Sequence, residues 1–259
     1  MNTFSFFHSM IPHIYQRHHG QSSDHITWKE EYTEKYEWSS AAGENKKFIL
    51  NNINGIVAVE GITYLNRVKV TAWKTVRAES TEIAKSHMGD ISIDIQEMQN
   101  ACRVTTRHSH IAHEGGYKVN YTVELPDTWS VKIENKNGDI QISNLKNTLI
   151  LNLNNGTIRA ADVAADVHAQ VVNGNVHVKQ ILPLNGVCKL KTINGSIHLL
   201  LNKEASTVIS ARANNGTVFG ENLSSNLEKN QREFQHVLSD GKGTVNLTVG
   251  NGSIDIGYF

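Results

Sequence analysis

The sequence predicts an all-β chain folded as a parallel β-solenoid, a stack of 18 to 21-residue rungs behind a less regular N-terminal β region. Three observations carry that expectation. An Asn-Gly pair recurs with its glycine at Gly138, Gly156, Gly174, Gly195, Gly216 and Gly252, at intervals of 18, 18, 21, 21 and 36 residues. Two positions after each of these stands a β-branched residue: Ile140, Ile158, Val176, Ile197, Val218 and Ile254. Apolar and polar residues alternate on both sides of the pair, and the parity switches across it.

Upstream, the positions seven before Gly are Val131, Leu149, Val167, Cys188, Ile209 and Val245, and those five before are Ile133, Leu151, Ala169, Leu190, Ala211 and Leu247. Each unit therefore reads as two period-2 strands, apolar on one face, joined at a corner where glycine takes a positive φ. Type I′ hairpins at each Asn-Gly would also fit, which leaves an antiparallel hairpin meander or sandwich as the alternative. Uniform columns favour stacking, because like positions lie above one another only in a solenoid.

In chain order, residues 1–45 form an N-terminal extension, partly flexible, in which "ITWKEEYTEKYEW" suits an amphipathic strand without excluding a helix. Residues 46–126 form the irregular β region. There "NNINGIVAVEG" (Gly55, Val57, Val59) and "SHMGDISIDI" (Gly89, Ile91, Ile93) repeat the phrase at uneven spacing. Residues 127–259 carry the regular array, interrupted at 221–240 by "ENLSSNLEKNQREFQHVLSD", a short helix or long loop expected to cap the stack. "YKVNYTVELPDTWSVKIENKNGDI" leads as strand, Pro-Asp turn and strand into the first clean rung.

Composition narrows function more than it assigns it. Lys plus Arg number 25 and Asp plus Glu number 25, so no global field draws in nucleic acid or an anionic membrane. Cys102 and Cys188 lie 86 positions apart and suit neither a zinc site nor a disulfide framework. "MNTFSFFHSMIPHIYQRHHG" has no unbroken apolar run of signal or membrane length, so the chain reads as soluble and cytoplasmic, or as a mature piece without its export signal.

The ordered series "VNYTVELPDTWSVKIENKNGDIQI", "TINGSIHLLLNKEASTVISARANNGTV" and "GKGTVNLTVGNGSIDI" resembles the putative-adhesin family of bacterial β-strand-repeat proteins, a family of unknown function, over roughly residues 46–259. The resemblance implies an all-β, solenoid-like fold and a setting at the cell envelope or surface. It supplies no catalytic residues to transfer, and residues 1–45 fall outside it.

Candidate chemistry is sparse. In "RHSHIAH", His108, His110 and His113 could hold zinc, but no carboxylate or thiol is placed beside them, and a polar surface strand is the preferred reading. His8, His13, His18, His19 and His25 read as a His-rich tail. Three positions after their glycines stand Arg159, His177, His198, Phe219 and Asp255, an outward column that could touch a ligand or a partner chain. Cys188 belongs to an apolar column and reads as core. A polysaccharide lyase or hydrolase would need clustered carboxylates in a groove. Asp90 and Asp139 instead follow a glycine directly, where Thr157, Asn175, Ser196, Thr217 and Ser253 also occur, so they read as turn chemistry. The sequons at Asn155, Asn194, Asn215 and Asn251 arise from the repeat itself and carry no functional weight. There is no phosphate-binding glycine loop or nucleophile elbow, so neither a cofactor nor an enzymatic activity is expected. The expected role is that of an adhesin-like module binding a protein or glycan through exposed sheet faces, with a carbohydrate-active enzyme or a purely structural scaffold as alternatives.

Overall fold

The computed structural model describes residues 30–43, 46–108, 116–220 and 232–259. The Asn-Gly pairs set its architecture. Gly55, Gly138, Gly156, Gly174, Gly195, Gly216 and Gly252 all adopt φ between +116° and +155°, and each turns the chain from one sheet into the other. At Gly156 a Cβ would collide with the carbonyl oxygen of Gly138 in the neighbouring rung, and at Gly174 with that of Gly156. Close rung-to-rung approach and positive φ together exclude a side chain there.

The chain opens with β1 (Glu30–Ala41), β2 (Lys47–Asn54), β3 (Val57–Ile62) and β4 (Arg67–Ala78), followed by a short helix α1 (Thr81–Ser86) and a 3-10 turn at Met88–Asp90. Next come β5 (Ile91–Met98), β6 (Ala101–His108), β7 (Gly116–Pro126), β8 (Ser130–Asn137), β9 (Ile140–Ser143), β10 (Leu149–Asn155), β11 (Ile158–Val163), β12 (Val167–Asn173) and β13 (Val176–Gln180). The remainder is β14 (Val187–Asn194), β15 (Ile197–Leu201), β16 (Thr207–Asn215), β17 (Val218–Gly220), β18 (Glu233–Leu238), β19 (Gly243–Asn251) and β20 (Ile254–Tyr258).

These strands form two ten-stranded sheets. The first runs β1-β4-β7-β3-β9-β11-β13-β15-β20-β17 and the second β18-β16-β19-β14-β12-β10-β8-β2-β6-β5. Pairing through the middle of both is parallel and in register, for example Ile158↔Val176 and Leu151↔Ala169. That is the solenoid, and the hairpin meander is excluded. Antiparallel strands occur at the two ends, where β1, β4 and β5 finish one and β18 the other.

The stacking order departs from chain order twice. The rung β2–β3 lies between β6–β7 and β8–β9, and the C-terminal rung β19–β20 lies between β14–β15 and β16–β17. The 36-residue interval is therefore a return path, in which the chain builds the end rung, adds β18 against β16, and fills the gap it left. Two sequence expectations are corrected. Gly89 lies in the 3-10 turn rather than at a corner, with open space where a Cβ would stand, so it is not a repeat copy. Within the 221–240 segment, residues 233–238 form a strand rather than a helix or loop, because alternating Phe234, His236 and Leu238 pair with β16; residues 221–231 lie outside the described residues.

One core runs through the whole stack, from Phe48 to Ile256. Val57, Ile140, Ile158, Val176, Ile197, Ile254 and Val218 form a buried column beside the corners. Burying each such side chain contributes about 1.5–3 kcal/mol relative to leaving it exposed. On the opposite edge short connections turn inward through Leu145, Ala165, Leu182 and Ala205. At one end α1, started by Ser80 accepting from the Ile83 amide at 3.3 Å, places Ala84 in the core, where Tyr32, Tyr36 and Trp38 of β1 also pack.

Candidate functional site

The corner edge is chemically closed on itself. Asn54, Asn137, Asn155, Asn173, Asn194, Asn251 and Asn215 form a ladder in which each Nδ2 donates to the Oδ1 of the preceding rung at 2.7 to 2.9 Å, and Asn54 ends it by donating to the Tyr117 carbonyl at 3.1 Å. One residue past the glycine, Asp139 Oδ1 accepts from the Thr157 amide at 2.9 Å and Asn175 Oδ1 from the Ser196 amide at 2.8 Å. Asp139 thus behaves as its asparagine counterpart does, and stacks backbone. Asp90 sits elsewhere, in the 3-10 turn, accepting from Tyr117 Oη at 3.2 Å and meeting His87 Nδ1 at 2.8 Å.

The outward column expected from the sequence is one contiguous ladder on the first sheet. Its order is Gln141, Arg159, His177, His198, Asp255 and Phe219, set by the strand register. Intercalation of β20 brings Asp255 beside His198, with Oδ2 at 3.2 Å from Nδ1. The His177 and His198 rings stack at 4.9 Å between centroids and 4° between planes. Partial burial, then the neighbouring His198 and Arg159, lower the His177 pKa to about 4. Arg159 is held by Asp139 at 2.8 Å, and Phe219 is 53% exposed at the end of the ladder. Face-to-face rings keep their nitrogens in parallel planes, so they do not converge on one ion. Among the described residues no cluster of three or more His, Cys, Asp or Glu could hold a metal.

The histidine motif is only partly visible. His108 ends β6, half-buried, tilted against Tyr117 at 5.4 Å, its Nε2 buried and without a partner among the described residues; burial and then Lys136 lower its pKa. His110 and His113, like His8, His13, His18, His19 and His25, lie outside the described residues. Both cysteines are core: Cys188 is 0% exposed between Val167 and Val245, and burial pushes its thiol far up and that of Cys102 up to about 11.

Two polar features escaped the sequence reading. Three residues before the glycine, Asn52 bonds the Val119 carbonyl of β7, and Asn135 and Thr192 bond the corner carbonyls of Gly55 and Gly174, at 2.9 to 3.0 Å. The signal was there, in polar residues occupying a column otherwise filled by Leu153, Val171, Ala213 and Val249. Asn52 also accepts from Thr106 at 2.9 Å, and Thr106 meets Tyr121 Oη at 2.7 Å; burial lifts that phenol to about 12.

The second missed feature is charge segregation on the second sheet. Its outer face presents eight cations and three acids. Three cations are paired, Arg107 with Asp94 at 3.7 Å, Lys132 with Glu134 at 2.7 Å and Arg212 with Glu233 at 3.4 Å. Lys47, Arg103, Lys136, Lys189 and Lys191 have no acidic partner among the described residues. Between them lie Asn51, Asn152, Gln170 and His168, with the aliphatic Ile49, Ile150 and Ile193 on the same side, so the face is basic and mixed polar and apolar. On the first sheet the outer charges are mostly paired, as in Lys35–Glu37, Arg77–Glu31 and Lys179–Asp162.

A two-sheet β-solenoid with in-register corners defines the class. The Toastrack DUF4097 family model matches residues 44–257, and the chain belongs to that family. The resemblance read from the repeat phrases is thereby confirmed. No curated protein matches the chain. Among solved structures, a putative cell adhesion protein from Clostridium sporogenes is 12% identical, with 87% of this chain and 100% of that one covered and a TM-score of 0.49. A putative adhesin from Parabacteroides distasonis is 9% identical, with 86% and 97% covered and a TM-score of 0.27. A putative adhesin from Bacteroides fragilis is 10% identical, with 88% and 97% covered and a TM-score of 0.24. Among the described residues no helix is long and apolar enough to cross a membrane.

Proposed function

We propose that this chain is a non-enzymatic, adhesin-like binding scaffold of the cell envelope, and that it meets an extended acidic glycan across the outer face of the second sheet. The observation that supports this reading is the five cations on that face with no acidic partner among the described residues, Lys47, Arg103, Lys136, Lys189 and Lys191, in a chain with as many acids as bases. Strands about 4.8 Å apart set these charges on a flat lattice, which suits a linear polymer better than a compact ligand. The carboxylates a lyase or hydrolase would cluster are instead engaged singly, Asp139 with Arg159 and Asp127 with Lys146.

The test is binding of the full chain to immobilised polygalacturonate and dextran sulfate, with neutral dextran and single-stranded DNA alongside. Lys189→Glu combined with Lys191→Glu should weaken retention on the acidic glycans about tenfold or more, and retention should fall with added salt. Arg159→Gln combined with His177→Gln should leave it unchanged. If the second pair abolishes binding and the first does not, the stacked-histidine ladder is the contact face. Equal retention on neutral dextran or on DNA overturns the acidic-glycan assignment. Fractionation of the native host with an antibody to the chain tests the setting: recovery only in the cytosol overturns the envelope assignment.

A further inference from the structure

We infer that Asn215–Gly216 is a site of spontaneous deamidation, set apart from every other Asn-Gly pair of the described chain by the position of its rung. The reaction needs a free glycine nitrogen and a releasable side-chain amide. The Gly216 nitrogen attacks Cγ of Asn215 as its proton is lost, the Cγ–Nδ2 bond breaks, and ammonia leaves to give a five-membered succinimide. Water then opens either carbonyl to aspartate or isoaspartate. No other reactant is required.

The eight Asn-Gly pairs of the described chain differ sharply in these two requirements. In seven the glycine N–H is already committed to a carbonyl. Gly55 donates to Asn137, Gly138 to Asn155, Gly156 to Asn173, Gly174 to Asn194, Gly195 to Asn251 and Gly252 to Asn215, while Gly186 donates to Pro183, all at 2.8 to 3.0 Å. Gly216 belongs to the outermost rung, where no further rung offers a carbonyl, and its N–H has no acceptor among the described residues. The side chain follows the same rule. Each other ladder asparagine uses both ends of its amide, whereas Asn215 donates to Asn251 Oδ1 at 2.9 Å and its own Oδ1 accepts from no described residue. Gly216 is also the one exposed corner glycine; the other six are buried or half-buried. Attack at an interior corner must break backbone and side-chain hydrogen bonds held between rungs. At the end rung the Gly216 nitrogen is uncommitted, and what opposes attack is the Asn215 side-chain bond to Asn251 and the bond from the Gly252 amide to the Asn215 carbonyl.

The product has a direction. A carboxylate at position 215 cannot donate to Asn251 Oδ1, and the isoaspartate form adds a methylene to the corner that sets β17 against β20. Deamidation therefore loosens the end rung from the stack irreversibly.

The test is peptide mapping by mass spectrometry of the folded full chain during incubation at neutral pH, alongside the same chain in strong urea. In the fold, the peptide holding Asn215 should gain about 1 Da at a rate about tenfold or more above the other seven sites. In urea all eight should convert at comparable rates. Asn215→Ser should remove that signal without moving the others. Conversion of Asn185, or of any interior corner asparagine, as fast as Asn215 in the folded chain overturns the assignment, and so does an Asn215 no faster than those sites.

Discussion

At the scale of single residues the rung tolerates little at its corner and its core column. Ile197 is fully buried, and Ile197→Asp places an unpaired carboxylate between Val176 and Ile254. The expected loss is about 4 kcal/mol or more, read as a chain that no longer shows a cooperative urea transition, whereas Ile197→Val should cost about 1 kcal/mol. Gly174→Ala meets both φ +140° and the Gly156 carbonyl, and should destabilise by about 2 kcal/mol or more in the same assay. His177 predicts a pH dependence. Its folded pKa of about 4 lies below the ordinary 6.5, so the fold favours the neutral ring, and its contribution is fully present above about 6.5 and is lost as pH falls toward 4. The groups facing it are His198 and Arg159, with Asp139 and Asp255 beyond them. His177→Gln should therefore shrink the drop in Tm measured across that window, and a drop equal to the parent's would show that other groups control it.

At the scale of the element, the unit is the corner ladder. Asn173→Ala removes the donor to Asn155 and the acceptor of Asn194 together, and should cost about 1 kcal/mol by thermal melting. The corner was legible in sequence because its demands are absolute: a positive φ and a rung-to-rung approach admit only glycine, and the next inward position admits only a buried side chain. The pairing of strands was less legible. An Asn-Gly flanked by alternating residues satisfies a hairpin and a solenoid corner equally, and only the stacking of like columns, Ile158 on Val176 on Ile197, separates them. At the antiparallel ends the phrase fails in two ways: β18 carries none, and "GDISI" imitates a corner at Gly89 where the chain makes a 3-10 turn, so both were misread. The basic face of the second sheet was invisible to composition because Lys47, Arg103, Lys136, Lys189 and Lys191 belong to four different strands and gather only on stacking.

At the scale of the molecule, what the sequence could not order is the stack itself. Every interior rung offers the same edges above and below, so chain position and stacking position need not agree, and at β2–β3 and β19–β20 they do not. One consequence is testable by truncation. Ending the chain before Gly243 removes the rung that joins β14–β15 to β16–β17, so the loss should exceed that of one terminal unit, with β16, β17 and β18 becoming protease-sensitive together. If only the residues next to the cut become sensitive, the rungs are energetically independent.

The same intercalation bears on how the chain would carry load. In a stack threaded in order, tension on the C-terminus peels strands away singly, and each step ruptures the ladder on one side. Here β19 and β20 are clamped between neighbours on both flanks, Leu190 and Ala211 about Leu247, Ile197 and Val218 about Ile254. A pull at Phe259 must shear two ladders at once, so the tail of the chain is anchored like a tongue in a groove.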